Sequence, residues 1–399
     1  MRLHRVLHTL AAFAGVQRLA GTLVAVAPND HFLDTYRSAA WWHLPCGGAT
    51  RAETVIGGLK ALLARGAAQG KQSAGANDGE FKHGYCRPDM RDEQIVGGGK
   101  ERAVAHYTPG IVITEKGQAS DKKMDTHHEY EFGGPRGVTA MITLFPMLMY
   151  YLWICLWFYD GQLAHPTSLR DIVPFFQRMG AHVYNDAYPT KRAFVGYGGL
   201  MLVEFVLAWV MPGFWQEGLP VPSLGYKTLW YKCNAVGCLY ATLLIAAALH
   251  VSGLYPLTQI IVHFGEYMTV SMIAGFAVSI ATYLHAVLAH QTHRMSGNVV
   301  YDFFMGAELN PRIGPIDLKM WAEVRIPWIL LFLISVSGAL QQYEEYGYVT
   351  PNMAFMVLAT GLYINACAKG EECIPQTWDM FYEKWGFMVI FWNFAGVPF

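Results

Sequence analysis

Charge is scarce in this protein. Only 15% of its 399 residues are Asp, Glu, Lys or Arg, against roughly 25% in soluble domains. Neither sign dominates, because 29 basic residues meet 30 acidic ones. That balance leaves no electrostatic footprint for a nucleic-acid partner. Seven cysteines are scattered along the sequence, with no CxxC and no Cys/His metal spacing, so reduced, packed thiols are expected. Nucleotide-cradling and nucleophile motifs are missing too: no GxGxxG after a strand pattern, no P-loop and no GxSxG. The glycine-rich FVGYGGL at 194–200 opens an apolar run instead. His285, His290 and His293 lie close together without an HExxH pattern, which favours packed or interfacial histidines over metal ligands. No long period repeats, which excludes a solenoid.

What the sequence has in abundance is apolar and aromatic surface. Hydrophobic residues make up 53% and aromatics 14%, with 12 Trp and 22 Tyr, an enrichment that suits helix ends at a membrane interface. From about residue 135, apolar runs of spanning length follow one another. They place spans near 138–159, 194–213, 235–255, 267–289, 327–341 and 351–367, with a seventh starting near Phe387 and cut short at Phe399. The fifth is brief and reads as one arm of a tight helical hairpin turning at QQYEEYGYVTP. The fold class expected is an all-α polytopic transmembrane helical bundle, residues 126–399.

Residues 1–125 read differently. Met1–Pro28 has Arg2, Arg5 and Arg18 but an interrupted apolar stretch, a weak match to a targeting peptide. Residues 47–120 are rich in Gly, Ala and charge, so a largely disordered extension is expected, with a short helix around Glu53–Arg65.

Loop charges give an orientation. Lys227 and Lys232 follow span two, and Arg294, Arg312, Lys319 and Arg325 follow span four, whereas 256–266 and 341–351 carry no Lys or Arg. The positive-inside rule sends the basic loops to the cytosol. Arg170, Arg178, Lys191 and Arg192 in 160–193 run against it.

Two stretches concentrate polar chemistry. The first is YDFFMGAELNPRIGPIDLKMWAEVRIPW, Tyr301–Trp328. Asn310-Pro311 and Gly314-Pro315 mark turns, and Asp317–Trp328 reads as a helix entering the bilayer, with Lys319 and Glu323 on one face. It is either a solvated juxtamembrane helix with weak ion pairs or the wall of a polar pocket, since ionisable groups at membrane depth face a cavity or the bundle interior. Phe304 and its neighbours Phe303 and Met305 could line an apolar cavity. The second stretch is EECIPQTWDMFYEKWGFMVIFWNFAGVPF, Glu371–Phe399. Thr377 can cap a helix from Trp378, placing Asp379 and Glu383 four apart on one face. It is either a capped interfacial helix with acids in its first turn or a carboxylate pair, in which one pKa rises and suits a proton donor. Glu204, inside span two, must be paired or protonated.

Four phrases together are specific: EYEFGGPRGVTAMITLFPMLMYYLWI (129–154), HRMSGNVVYDFFMGAELNPRIGPIDLKMWAEVRIPW (293–328), YGYVTPNM (346–353) and YINACAKGEECIPQTWDMFYEKWGFMVIFWNFAGVPF (363–399). The sequence resembles the ERG4/ERG24 sterol reductases from Glu129 to Phe399. Within that family it resembles the branch acting at the sterol's C-24(28) bond more than the branches acting at C-14 or C-7. The resemblance implies a multi-pass endoplasmic reticulum enzyme that uses NADPH to reduce the C-24(28) methylene of a sterol, the last step to ergosterol, with the lipid bilayer and other sterol-pathway enzymes as its surroundings. An isolated alkene is a poor hydride acceptor, so protonation precedes hydride delivery, and the acid must be held protonated by burial. Asp379 or Glu383 is the expected proton source and Tyr301 the alternative. Asn310, Arg312, Lys319 and Arg325 are expected to hold polar ends of cofactor or sterol, and Trp378, Trp385 and Trp392 to face the sterol. Relatives continue past the phrase that ends here, into a region with the NADPH site. The 399-residue product alone is therefore expected to be inactive, and a non-catalytic paralogue that at most binds sterol is the alternative. A transporter is disfavoured by the absence of inverted symmetry.

Overall fold

The computed structural model describes residues 130–399, together with the backbone of three short strands and two single helical turns between residues 85 and 122. The strands, Tyr85–Cys86, Ala103–Thr108 and Ile111–Thr114, pair antiparallel with the last in the middle. The β-branched run Ile111-Val112-Ile113 suits the central strand. The helix expected around Glu53–Arg65 lies outside the described residues.

The rest is helical, in the order α1 Gly134–Phe158, α2 Ile172–Asp186, α3 Lys191–Val210, α4 Ala235–Ser252, α5 Thr258–Val262, α6 Phe264–Leu288, α7 Val299–Met305, α8 Leu318–Tyr346, α9 Pro351–Lys369, α10 Trp378–Phe381 and α11 Phe387–Phe391. The ends follow local chemistry. The side chains of Thr190, Asn298, Asp317 and Thr350 accept the third backbone N–H of α3, α7, α8 and α9. Gly253 and Gly347, both left-handed, close α4 and α8.

Among the described residues, six helices are long and apolar enough to cross a membrane: α1, α3, α4, α6, α8, and α9 with the turns that follow it. Burial fixes their places. Of the most apolar stretch of α8, 61% is buried, against 17% in α1, so α8 is central and α1 peripheral. Leu144, Met147, Leu148, Leu152 and Leu156 of α1 stand exposed. A helix apolar all round and uncovered on one side belongs in lipid. All six expected spans are present, and α11 with the wide turn Trp392–Gly396 supplies the short seventh apolar helix.

Two expectations change. The fifth span is the longest helix, at 29 residues, because the polar stretch 318–326 is continuous with the apolar run through Pro327. The hairpin turn correspondingly shrinks to Gly347–Thr350, and α8 packs along α9. The helix from Trp378 lasts only four residues.

The bundle has two distinct ends. At one, Asp186–Lys191 meets the start of α6: Thr269 Oγ1 donates to the Ala187 carbonyl at 2.7 Å, and Arg192 donates to Gln259 at 3.0 Å. At the other, 211–235, 289–318 and 369–386 converge. There Phe214–Glu217 pairs with Trp230–Cys233, and Arg312–Ile313 with Ile316–Asp317 across the Gly314-Pro315 turn. This second end carries the basic loops and is called the charged end below.

Candidate functional site at the charged end

The charged end is built on the first two turns of α8, whose polar side chains are buried. Arg325 is 3% exposed. Its Nη2 donates to Glu371 Oε1 at 2.6 Å and to Asn234 Oδ1 at 2.7 Å. Glu371 Oε2 in turn accepts the Ala235 N–H at 2.6 Å, an orphan donor at the start of α4, where the helix dipole favours a carboxylate. One ion pair thus ties α4, α8 and the segment after α9.

Lys319 makes the second tie. It is 1% exposed, and its Nζ donates to the backbone carbonyls of Asp379 and Glu383, the latter at 2.6 Å. This explains why α10 is short. The backbone turns at Tyr382, and carbonyls that a longer helix would use internally point to the lysine. Asp379 and Glu383 are brought together by that clamp and not by a shared helix face. Thr377 does not cap with its side chain; its hydroxyl donates to Ile374 at 2.8 Å. Glu383 Oε1 accepts from the Trp378 indole at 2.9 Å. Asp379 is exposed along its length, yet partial burial of its carboxyl raises its pKa, Glu383 adds to this, and Lys319 opposes it.

Arg312 and Asp317 form a corner beside this clamp. The Arg312 guanidinium lies 4.7 Å over the Tyr231 ring, donates to the Trp230 carbonyl at 2.8 Å, and sits 3.5 Å from Asp317. Burial pushes the Asp317 carboxyl up, against the pull of Arg312 and Lys319. Asn310 donates to Tyr231 Oη at 3.3 Å. Several buried polar atoms here have no hydrogen-bond partner: Arg312 Nε and Nη2, Asn310 Oδ1, Asp317 Oδ2 and Glu323 Oε2. Native interiors rarely leave such groups open without reason.

The remaining candidates lie deeper or apart. Tyr301, on α7, is 7% exposed; its hydroxyl accepts the Glu131 N–H at 3.0 Å, and burial raises its pKa. Phe304 is fully buried and contacts Phe132 and Phe387. Trp385 is 1% exposed, in the core between α3, α6 and α8, with its indole N–H unpartnered. Trp392 points outward, 54% exposed. The structure therefore gathers Asn310, Arg312, Lys319, Arg325, Trp378, Asp379 and Glu383 at one end. Tyr301, Phe304 and Trp385 stand in the apolar layer beneath, and Trp392 on the outer surface.

Sequence reasoning passed over Glu323, Asp317, Glu371 and Lys384 as site residues. Lys384 is 8% exposed, donates to the Arg294 carbonyl at 3.0 Å, and burial pushes its pKa down to about 8. Their signal was present, as ionisable residues bordering apolar runs, but the partners of Glu371 and Lys384 lie 46 and 90 residues away. Glu204 is completely buried and accepts from the Thr242 hydroxyl. Among the described residues, no three His, Cys, Asp or Glu side chains converge as a metal site.

Six spanning helices closed at one end by a buried, ion-paired collar define a polytopic α-helical membrane protein with a polar mouth above an apolar interior. The protein belongs to the ergosterol biosynthesis ERG4/ERG24 family, whose pattern matches residues 126–399. It is 46% identical over 300 residues to a delta(24(24(1)))-sterol reductase of Gibberella zeae, covering 75% of this sequence and 50% of that protein. It is 47% identical over 275 residues to delta(24(24(1)))-sterol reductase erg4A of Aspergillus fumigatus, covering 69% and 58%. A delta(14)-sterol reductase of Dictyostelium discoideum is 33% identical over 275 residues, covering 68% and 59%. The sequence thus spans about half the length of the curated relatives it matches.

Proposed function

We propose that this protein is an NADPH-dependent sterol reductase of the endoplasmic reticulum that saturates the C-24(28) double bond, the step that ends in ergosterol. The observation that carries the reading is the gap in identity: 46–47% to two delta(24(24(1)))-sterol reductases, against 33% to a delta(14)-sterol reductase.

The charged end supports a role in cofactor positioning. Of the four residues expected to hold the cofactor, Arg312 and Asn310 keep unpartnered buried polar atoms and would hold its polar end. Lys319 Nζ already donates to two backbone carbonyls and Arg325 Nη2 to Asn234 and Glu371, although Arg325 Nε is left without a partner, so their main part is to fix the mouth. When bound, NADPH supplies the hydride. The protein's own contribution is a proton and a dry setting. Asp379, with its carboxyl pushed up by burial, is the better proton holder; Glu383 is engaged by the Trp378 indole. Glu323, half-buried with one buried oxygen unpartnered, stands on the same face of α8 as Lys319.

The test grafts residues 126–399 of this protein in place of the matching segment of the Gibberella zeae relative. Membranes carrying the graft are assayed with NADPH and a C-24(28)-methylene sterol. Conversion is expected, with Asp379→Asn slowing it at least tenfold, below the roughly hundredfold typical of one acid–base group because Glu383 stands beside it. Reduction of a C-14 alkene alone, or no turnover by a graft that purifies as a single species, overturns the reading.

A further inference from the structure

A groove of roughly 480 Å³ runs between α1 and α6, on the lipid-facing side of the bundle and away from the charged end. Pro146 and Tyr150 form one wall, and the Thr269–Ile280 face of α6 forms the other. Its volume is within the range of small-molecule sites, roughly 300–1,000 Å³. Pro146 lies inside α1 and lines the groove. Proline inside a helix removes one backbone hydrogen bond, and here its ring faces the groove. From Thr269 to Ile280 the wall rises about 16 Å at 1.5 Å per residue, the length of a sterol nucleus with part of its side chain.

The groove is apolar except at one end, and hydrogen-bond accounting shows what that end lacks. Thr269 Oγ1 has a single proton, shared between the carbonyls of Ala187 at 2.7 Å and Gly265 at 3.0 Å. It therefore accepts from Tyr150, whose hydroxyl lies 2.8 Å away. The Tyr150 proton is thereby used, and its oxygen keeps room to accept one more bond. At the groove's end, an open acceptor in an apolar setting matches a lipid with one hydroxyl donor. The middle of the groove is walled by Phe276, whose ring also lies 4.8 Å from Phe387 and 5.6 Å from Phe391. Phe303 stands 5.6 Å from Phe387, two residues from Tyr301.

We propose that this groove binds a sterol, with its ring hydroxyl donating to Tyr150 and its side chain directed along Phe276 toward the Phe303–Phe387 aromatic cluster. The inference rests on the sterol reading above and adds the site and the orientation. A flat, rigid ring system fills a shallow groove with less loss of conformational freedom than an acyl chain. The orientation brings the side chain toward aromatic faces, which attract positive charge.

The experiment is photo-crosslinking of the full-length protein, purified in detergent, with a tritiated sterol bearing a diazirine on its side chain. A saturable adduct on the peptide around Phe276 or Phe387, competed by unlabelled sterol and not by a long-chain alcohol, is expected. Tyr150→Phe should weaken competition about three- to tenfold, the effect of one net hydrogen bond. Ala277→Trp, which fills the groove from its lipid side, should abolish the adduct while the protein still elutes as a single species. A saturable adduct elsewhere overturns the groove and leaves the sterol reading standing. Equal competition by the alcohol, or an adduct that never saturates, means annular lipid or a neighbouring helix covers this face and overturns the inference. No adduct from a folded protein overturns the inference, and the grafted enzyme's turnover then decides the sterol reading separately.

Discussion

Arg325 and Glu371 show how a charge can be stable at the edge of a membrane. Each is about 4% exposed as a side chain, and they meet at 2.6 Å. Removing one partner strands the other, which costs about 3–5 kcal/mol for a buried pair, whereas replacing both with apolar groups is often close to neutral. Arg325→Met should therefore lower the melting temperature of the detergent-purified protein sharply, and adding Glu371→Met should restore most but not all of it. The residue of the loss is the Ala235 N–H, which keeps no acceptor once Glu371 is gone. Lys384 gives a pH signature of opposite origin. Its pKa falls from 10.5 to about 8 through burial, with Arg294 contributing. Between about pH 8 and 10.5 the unfolded state holds the proton that the folded state has lost. Stability from this group therefore rises with pH through that window and is lowest below pH 8. One pKa unit corresponds to about 1.4 kcal/mol, so the contribution is on the order of 3 kcal/mol across the window. Melting curves from pH 7 to 10 should rise more in the native protein than in Lys384→Met, and parallel curves would refute the assignment.

At the scale of elements, the crossing of α7 and the segment before α11 depends on two glycines, Gly306 and Gly386. Gly306 has φ +96°, and a Cβ there would come within 2.6 Å of the Gly386 backbone. Gly297 has φ +85° with open space around it. Alanine at Gly297 meets conformational strain alone, about 1 kcal/mol or more; at Gly306 it adds a backbone clash of about 1–3 kcal/mol. Thermal unfolding of the two variants should separate by that difference, with Gly306→Ala the weaker. Such a crossing shows where sequence reading stops. The apolar runs revealed all six spanning helices among the described residues, because a membrane leaves backbone groups no partner but the helix itself. The fifth was read too short because Lys319, Glu323 and Arg325 interrupt its pattern. Those charges are helical because Asp379, Glu383 and Glu371, remote in sequence, receive two of them. Likewise the i,i+4 spacing of Asp379 and Glu383 reflects no shared helix face: the helix from Trp378 ends at Phe381, and Lys319 gathers their backbone carbonyls.

The helical bundle is polarised along its axis. Buried and partly buried charge collects where 211–235, 289–318 and 369–386 meet. The opposite end holds Arg170, Arg178, Lys191 and Arg192, which contradict a simple positive-inside bias. Two of these are neutralised where they stand: Arg178 grips Asp171 with both terminal nitrogens, at 3.0 and 3.1 Å, and Arg192 lies 3.8 Å from Glu266. Arg312 and Arg325 at the charged end are paired as well, with Asp317 and Glu371, and the positive-inside rule counts cations rather than net charge, so pairing does not choose between the two ends. Orientation can be read directly. Cys373 is exposed at the charged end, and Ser168 is exposed at the other. With Cys46 and Cys86 replaced by Ser, a membrane-impermeant maleimide added to sealed microsomes should label Cys373 without detergent. The same reagent should reach a Ser168→Cys, Cys373→Ser variant only after detergent opens the vesicles. Labelling of both from the outside would break the six-span topology, because α3, α4, α6, α8 and α9 lie between residues 168 and 373, and an odd number of crossings puts the two on opposite faces. Labelling of Ser168→Cys alone would keep the topology and invert it, placing the Arg312 corner and the Lys319 clamp in the lumen, away from the cytosolic pool from which a nicotinamide cofactor would have to come.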